Sequence, residues 1–173
     1  LPGDFVEFST DEDGYGFIEE IMERRNELNR PKVANVDMVA IVASAGSPKI
    51  DKLLCDRLIV SALRQGIKPL LVINKIDTAG NQEAEKLALE YKGVCDTICV
   101  SAVTKEGLEE LKKLLSGRCT SFAGQSAAGK SSLLNALFDG LRLETGDMSK
   151  RTDRGRHTTR HAELLKLNGF SGI

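Results

Sequence analysis

A lysine and a serine at the close of a glycine-framed loop are residues that can do phosphate chemistry. Gly124-Gln125-Ser126-Ala127-Ala128-Gly129-Lys130-Ser131 follows the G-x-x-x-x-G-K-S pattern. The short apolar stretch Thr120-Ser121-Phe122-Ala123 precedes it, and the helical pattern Ser132-Leu133-Leu134-Asn135-Ala136-Leu137-Phe138 follows. Strand, glycine loop and helix in that order give the pattern its meaning: loop N–H groups and a helix N-terminus make a concave anion site. Gly124 to Ser132 then cradle phosphates, Lys130 reaches the β/γ-phosphates, and the Ser131 hydroxyl ligates Mg²⁺. The bland alternative is a glycine turn before an ordinary helix.

A second motif addresses the base. Pro69-Leu70-Leu71-Val72-Ile73 is a continuous apolar run, as buried parallel strands are, and it ends in Asn74-Lys75-Ile76-Asp77. The Asp77 carboxylate can accept from N1–H and N2–H₂ of guanine. Adenine would set a lone pair against it, so such a site rejects the wrong purine. Asn74 is expected to bridge base and phosphate loop, with the Lys75 stem along the ring. A third strand-like run, Asp96-Thr97-Ile98-Cys99-Val100, ends in Ser101-Ala102 before the leucine-periodic helix 107–115.

The order of these motifs carries a resemblance. In most GTPases the phosphate loop comes first, whereas here N-K-x-D at 74–77 and Ser-Ala at 101–102 precede it. The chain resembles a circularly permuted GTPase, tolerable because the site is assembled from strand ends that are close in space. Within that class it is similar to the RsgA/YjeQ family of ribosome-assembly GTPases. Further shared words are Arg30-Pro31-Lys32-Val33-Ala34-Asn35-Val36-Asp37, Ala123-Gly124-Gln125-Ser126 and Arg154-Gly155-Arg156-His157-Thr158-Thr159-Arg160. The resemblance implies GTP and GDP as ligands, Mg²⁺, slow hydrolysis, and action on the small (30S) ribosomal subunit and its 16S rRNA late in assembly. It also implies a Ser101-Ala102 backbone N–H on the guanine O6, a cytoplasmic monomer, and a zinc-binding region downstream of this chain.

At 173 residues there is room for one α/β domain and part of another. Trp is absent and aromatics are few, so Val, Ile, Leu and Ala must build the core. No apolar run approaches a membrane span, and Leu1-Pro2-Gly3-Asp4 does not read as a signal peptide. Cys55, Cys95, Cys99 and Cys119 form no C-x-x-C pair and read as buried thiols, against a zinc site with His157 or His161. The net charge of −1 disfavours wholesale nucleic-acid binding, so local basic stretches matter more. One is Arg24 to Lys32, read as a linker that is either solvated or directed at RNA; the other is Lys150 to His157.

The expected organisation is a partial OB-type RNA-binding domain and linker over 1–30, then a permuted GTPase domain over 31–173. The first contributes a β-hairpin of Asp4–Phe8 and Phe17–Ile21, the remnant of a barrel. The second alternates strands at 38–43, 69–73, 97–100 and 120–123 with helices near 51–65, 82–91, 107–115 and beyond 131. Such alternation means βαβ units around a mostly parallel sheet. Leu54, Leu58 and Ala62 are expected on the buried face of the first helix. Residues 141–160 lack periodicity and stand where the first switch belongs. Thr158 or Thr159 would there join Mg²⁺, and His157 either positions water or is a plain loop histidine.

Two departures from the family pattern stand out. Ala127 and Ala128 replace a glycine-containing pair, and Ala at a left-handed position costs about 1–2 kcal/mol. No D-x-x-G follows the loop within these residues, which leaves the second switch without its motif. The competing expectations are therefore an RNA-binding module with a structural nucleotide site, and another P-loop enzyme such as an ATPase.

Overall fold

The computed structural model describes residues 1–79, 81–138, 140–143 and 164–165. Its centre is a four-stranded parallel sheet of β5 (Met38–Ser44), β6 (Lys68–Asn74), β7 (Asp96–Cys99) and β8 (Thr120–Ala123). The spatial order is β7-β6-β5-β8. The chain thus moves outward from β5 through β6 to β7, then returns to β5's other side. That reversal is the topological switch point at which open α/β sheets bind ligands, outside the strands' carboxyl ends.

Both faces of the sheet are covered, which is why its strands are apolar without alternation. Val39, Ile41 and Ala43 of β5 face a cluster with α1 (Lys52–Arg64) and α3 (Asn81–Glu90). Met38, Ala40 and Val42 face the opposite cluster with α4 (Leu108–Leu115) and α5 (Lys130–Leu137). A fully buried Ile or Leu in either cluster contributes about 1.5–3 kcal/mol of transfer free energy. Leu108, Leu111 and Leu115 follow the expected helical spacing. On α1 the buried residues are Cys55, Ile59 and Ala62, with Leu54 and Leu58 half-buried beside them, so the inward face is rotated from the expected one. Burial raises the pKa of the Cys55 thiol to about 11, and raises those of half-buried Cys95, Cys99 and Cys119. No described helix is long and apolar enough to cross a membrane.

The N-terminal region departs most from expectation. β1 (Val6–Thr10) and β2 (Gly16–Ile21) form the anticipated antiparallel hairpin, with a register shift at Glu7/Phe8. The stretch read as a basic linker is instead a second hairpin of β3 (Glu27–Asn29) and β4 (Lys32–Ala34). Three-residue strands are too short to show a period. Leu28 and Val33 enter the α1/α3 cluster, so the packed core extends upstream of residue 31.

The leading arginines of that stretch are committed internally. Arg24 pairs with Asp4 at 2.8 Å and Glu27 at 2.6 Å, and Arg25 with Asp37 at 3.1 Å. The Arg24 hydrogen bond holds the Asp4 carboxyl down at about 2. Its contribution to docking is present above the usual carboxylate pKa and is lost as pH falls through about 2. Asn35, buried and at φ +56°, takes the Arg25 N–H on Oδ1 at 2.8 Å and donates to the Gly3 carbonyl at 2.9 Å. Asn35→Ala should lower stability by about 2–3 kcal/mol, from the left-handed backbone and two unsatisfied main-chain groups. Chemical denaturation measures this, and a loss below about 0.5 kcal/mol would show that the clamp does not hold the hairpins.

Candidate nucleotide-binding site

The phosphate loop leaves β8 across the backbone of its neighbour. Gly124 has φ +134°, and a Cβ there would lie 2.2 Å from the Val42 carbonyl oxygen, so no other residue fits. Ala127 adopts φ +60°, a left-handed conformation in which Ala is strained. Ala128 is fully buried in the α4/α5 cluster and pins the loop to the core. Gly129, at φ +93°, caps α5 without a side-chain acceptor, leaving first-turn N–H groups to a ligand. The Lys130 ammonium lies across the loop, donating to the carbonyls of Gly124 at 2.9 Å and Gln125 at 2.8 Å. A cation held there meets phosphate oxygens entering the loop.

The base motif interlocks with this loop. Asn74, at the end of β6, is buried. Its Nδ2 donates to the Ala128 carbonyl at 3.1 Å, and its Oδ1 accepts from the Ala102 N–H at 3.2 Å. Asn74 therefore ties the phosphate loop to the Ser101-Ala102 turn. The Ala102 amide, expected on the purine carbonyl, is part of the same tether. A Cβ at position 129 would fall 2.5 Å from the Asn74 amide nitrogen. The glycine of one motif thus makes room for the asparagine of the other.

Asp77 stands exposed on α2 (Ile76–Ala79), its Oδ1 accepting the Ser101 hydroxyl at 2.6 Å. The buried Ser101 hydroxyl oxygen in turn accepts the N–H groups of Val103 at 3.2 Å and Thr104 at 3.0 Å. This chain orients the carboxylate and shapes the turn beside it. Ile76 is buried core, and its contribution is backbone geometry. Lys75, at φ +67°, donates from Nζ to the Ser47 carbonyl at 2.8 Å.

Gln125 is where sequence reasoning missed a role. Its side chain faces the segment before α1, with Oε1 accepting from Asp51 N–H at 2.7 Å and Nε2 donating to Lys49 O at 2.9 Å. Asp51 caps α1 through the Leu54 N–H at 3.0 Å. An Asp before an apolar run is the sequence signal of such a cap, whereas the loop's grip on it pairs residues 74 positions apart and leaves no local signal. Ser126 is exposed on the rim of the loop. Ser131 and Ser132 open α5, and the Ser131 hydroxyl, without a hydrogen-bond partner among the described residues, suits a hard cation. Among the described residues no group of three or more His, Cys, Asp or Glu could hold a metal. Thr158, Thr159, His157 and the Lys150–His157 stretch lie outside the described residues.

A family model described as RsgA GTPase matches residues 21–172. The chain belongs to the RsgA GTPase family. It is 48% identical over 173 residues to the small ribosomal subunit biogenesis GTPase RsgA of Geobacillus kaustophilus, covering 98% of this chain and 59% of that protein. The protein so named from Thermotoga maritima is 42% identical, with 98% and 58% covered. The chain thus spans about three-fifths of the length of these RsgA relatives. The crystal structure of YjeQ from Thermotoga maritima superposes with a TM-score of 0.72 at 39% identity, over 83% of this chain and 53% of that one. YloQ, described as a circularly permuted GTPase, gives 0.62 at 30% identity, over 79% and 49%. The permuted motif order and the parallel sheet are therefore shared with the RsgA family.

Ala127 is the point at which this RsgA-family loop carries backbone strain. Ala127→Gly removes about 1–2 kcal/mol of strain and adds about 0.4–1 kcal/mol of unfolded-chain entropy. A net gain of about 0.5–1 kcal/mol is expected in ligand-free denaturation, and a loss would show that position 127 is unstrained.

Proposed function

We propose that this chain binds guanine nucleotide and hydrolyses GTP slowly with Mg²⁺, as part of a factor that assists late maturation of the small ribosomal subunit. The observation that carries the nucleotide part is the Asn74 tether, which draws all three motifs into one site at the strands' carboxyl ends. The ribosomal part rests on the printed names of the RsgA relatives. Contact with 16S rRNA, a cytoplasmic location and a monomeric state belong to the same reading. So does the assignment of residues 1–30 to an OB-type portion and 31–173 to the GTPase domain, supported by the antiparallel β1–β2 hairpin. Zinc belongs, on this reading, to the family's downstream region and not to these residues.

The chain's own groups divide the work. Loop N–H groups and Lys130 bind and orient the phosphates, while Asp77, steadied by Ser101, reads the purine edge. Mg²⁺ would be held by Ser131 together with phosphate oxygens and would neutralise charge developing on the transferred group. Thr158 or Thr159 would complete the metal shell, with His157 near the attacking water. A switch of this kind works because γ-phosphate and metal order loops that otherwise relax. The alternative reading is a non-hydrolysing structural nucleotide site; no D-x-x-G stands between the loop and residue 173.

Lys130→Ala should abolish turnover and weaken GTP binding by at least tenfold, a larger effect than on ligand-free melting, because an ammonium held across the loop meets the phosphate oxygens. Affinity and melting are measured together, and unchanged affinity would overturn the assignment. Turnover of the parent with and without small subunits separates the hydrolysing from the structural reading.

Asp77→Asn keeps an acceptor for the Ser101 hydroxyl but loses the match to guanine N1–H. Preference should move from GTP toward XTP, whose C2 carbonyl suits an amide N–H. Competition binding with GTP, XTP and ATP checks it, and full retention of GTP preference would mean that Asp77 does not read the base.

A further inference from the structure

Arg57 and Arg64 stand seven residues apart on α1, so they occupy one stripe of the helix about two turns in length. With Asn29, Ser61 and Gln65 they line a cleft of about 460 Å³ between α1 and the β3–β4 hairpin. Lys32 lies directly opposite Asn29 in that hairpin, and paired residues share a face, so it neighbours a residue that lines the cleft. All three cations are exposed. Among the described residues none of them enters an ion pair or a side-chain hydrogen bond.

The neighbouring acids are occupied. Asp56, which also lines the cleft, accepts the Tyr91 hydroxyl at 2.9 Å. Glu27, on the same hairpin face as Asn29, accepts Arg24 at 2.6 Å. Lys52, elsewhere on α1, is paired with Glu90 at 2.5 Å. Exposed Val60 forms an apolar floor between the two arginines, and the side chains of Asn29, Ser61 and Gln65 are neutral donors. Forked guanidinium groups over a small apolar floor, with neutral donors around them, match phosphate oxygens and the sugars that join them.

We propose that this cleft binds the sugar–phosphate backbone of ribosomal RNA. The proposal rests on the ribosomal reading above and moves the RNA contact from Arg24 and Arg25, which are internally paired, to Lys32, Arg57 and Arg64. The cleft runs toward the C-terminal end of α1, whereas the nucleotide motifs lie at the other end of that helix, where Gln125 holds Asp51. RNA binding here leaves the nucleotide site untouched.

The test replaces Lys32, Arg57 and Arg64 by Ala, singly and together, with Lys113→Ala as a control. Lys113 is an exposed cation on α4, which packs on the sheet's opposite face. Binding to small ribosomal subunits and to protein-free 16S rRNA is followed across a salt series, with GTP affinity and melting temperature measured alongside. Melting matters because a cation in the last turn, as Arg64 is, also suits the helix dipole. Each lost contact should lower the log–log salt slope by roughly 0.7–0.9, so the triple variant should lose about 2–3. Its affinity for both RNA targets should fall at least tenfold at low salt, with GTP affinity unchanged and the Lys113→Ala slope close to the parent's. A triple variant that keeps the parent's slope overturns the cleft alone. Weakened binding to subunits with unaltered binding to protein-free rRNA overturns it in favour of an acidic protein surface. A parent chain that binds neither target overturns the ribosomal reading and the cleft with it.

Discussion

The site depends on one buried amide. Asn74 sits at the end of a strand with no access to water, so both ends of its side chain must find partners inside the protein. They find the Ala128 carbonyl on one side and the Ala102 N–H on the other. A single side chain thereby sets the distance between the loop that holds phosphates and the turn that flanks the base. Gly129 is part of the same constraint, because any side chain there would occupy the amide's position. Removing the amide would leave two buried main-chain groups unpaired, a cost of about 1–3 kcal/mol for each.

That constraint explains why motif order along the chain has so little physical weight. β6 supplies Asn74, the residue after β7 leads to Ser101 and Ala102, and β8 leads into the phosphate loop. These ends converge because β8 lies on the far side of β5 from β6, at the switch point of a parallel sheet. Nothing in the convergence requires the loop to be synthesised first. The permuted order shared with the RsgA family is one solution among several that the same sheet permits. The site extends further than its motifs, since Gln125 and Lys75 both bond the segment from Ser47 to Asp51 that leads into α1.

Charge in the N-terminal region is divided by tertiary contacts. Arg24 and Arg25 look as available as Lys32 in the sequence, yet the first two are consumed by Asp4, Glu27 and Asp37. Their partners are separated from them by up to 20 positions, as with Arg24 and Asp4. The pairs tie together segments distant in sequence and occupy those guanidinium groups with carboxylates, though both remain at the surface. Lys32, Arg57 and Arg64 are left without such carboxylate partners among the described residues.

Local pattern alone determined the α/β alternation, the four core strands to within one or two residues, and the identity of every residue at the loop, base and turn motifs. It did so because these features are written in contiguous residues: apolar runs for buried strands, leucine spacing for α4, glycines where the backbone must turn left-handed. At Ala127 only the cost of a left-handed backbone was legible in the sequence, and the fold supplies that backbone at φ +60°. What only the tertiary structure decided are matters of pairing across distance. The β3–β4 hairpin is too short to announce itself, and it forms because Leu28 and Val33 find the core. The inward face of α1 turned toward Cys55 and Ile59 because packing against β5 and β6, not helix period alone, selects the buried stripe. Asn74 also serves as a tether between loop and turn, because burial obliges an amide to bond the main-chain groups that the fold places beside it.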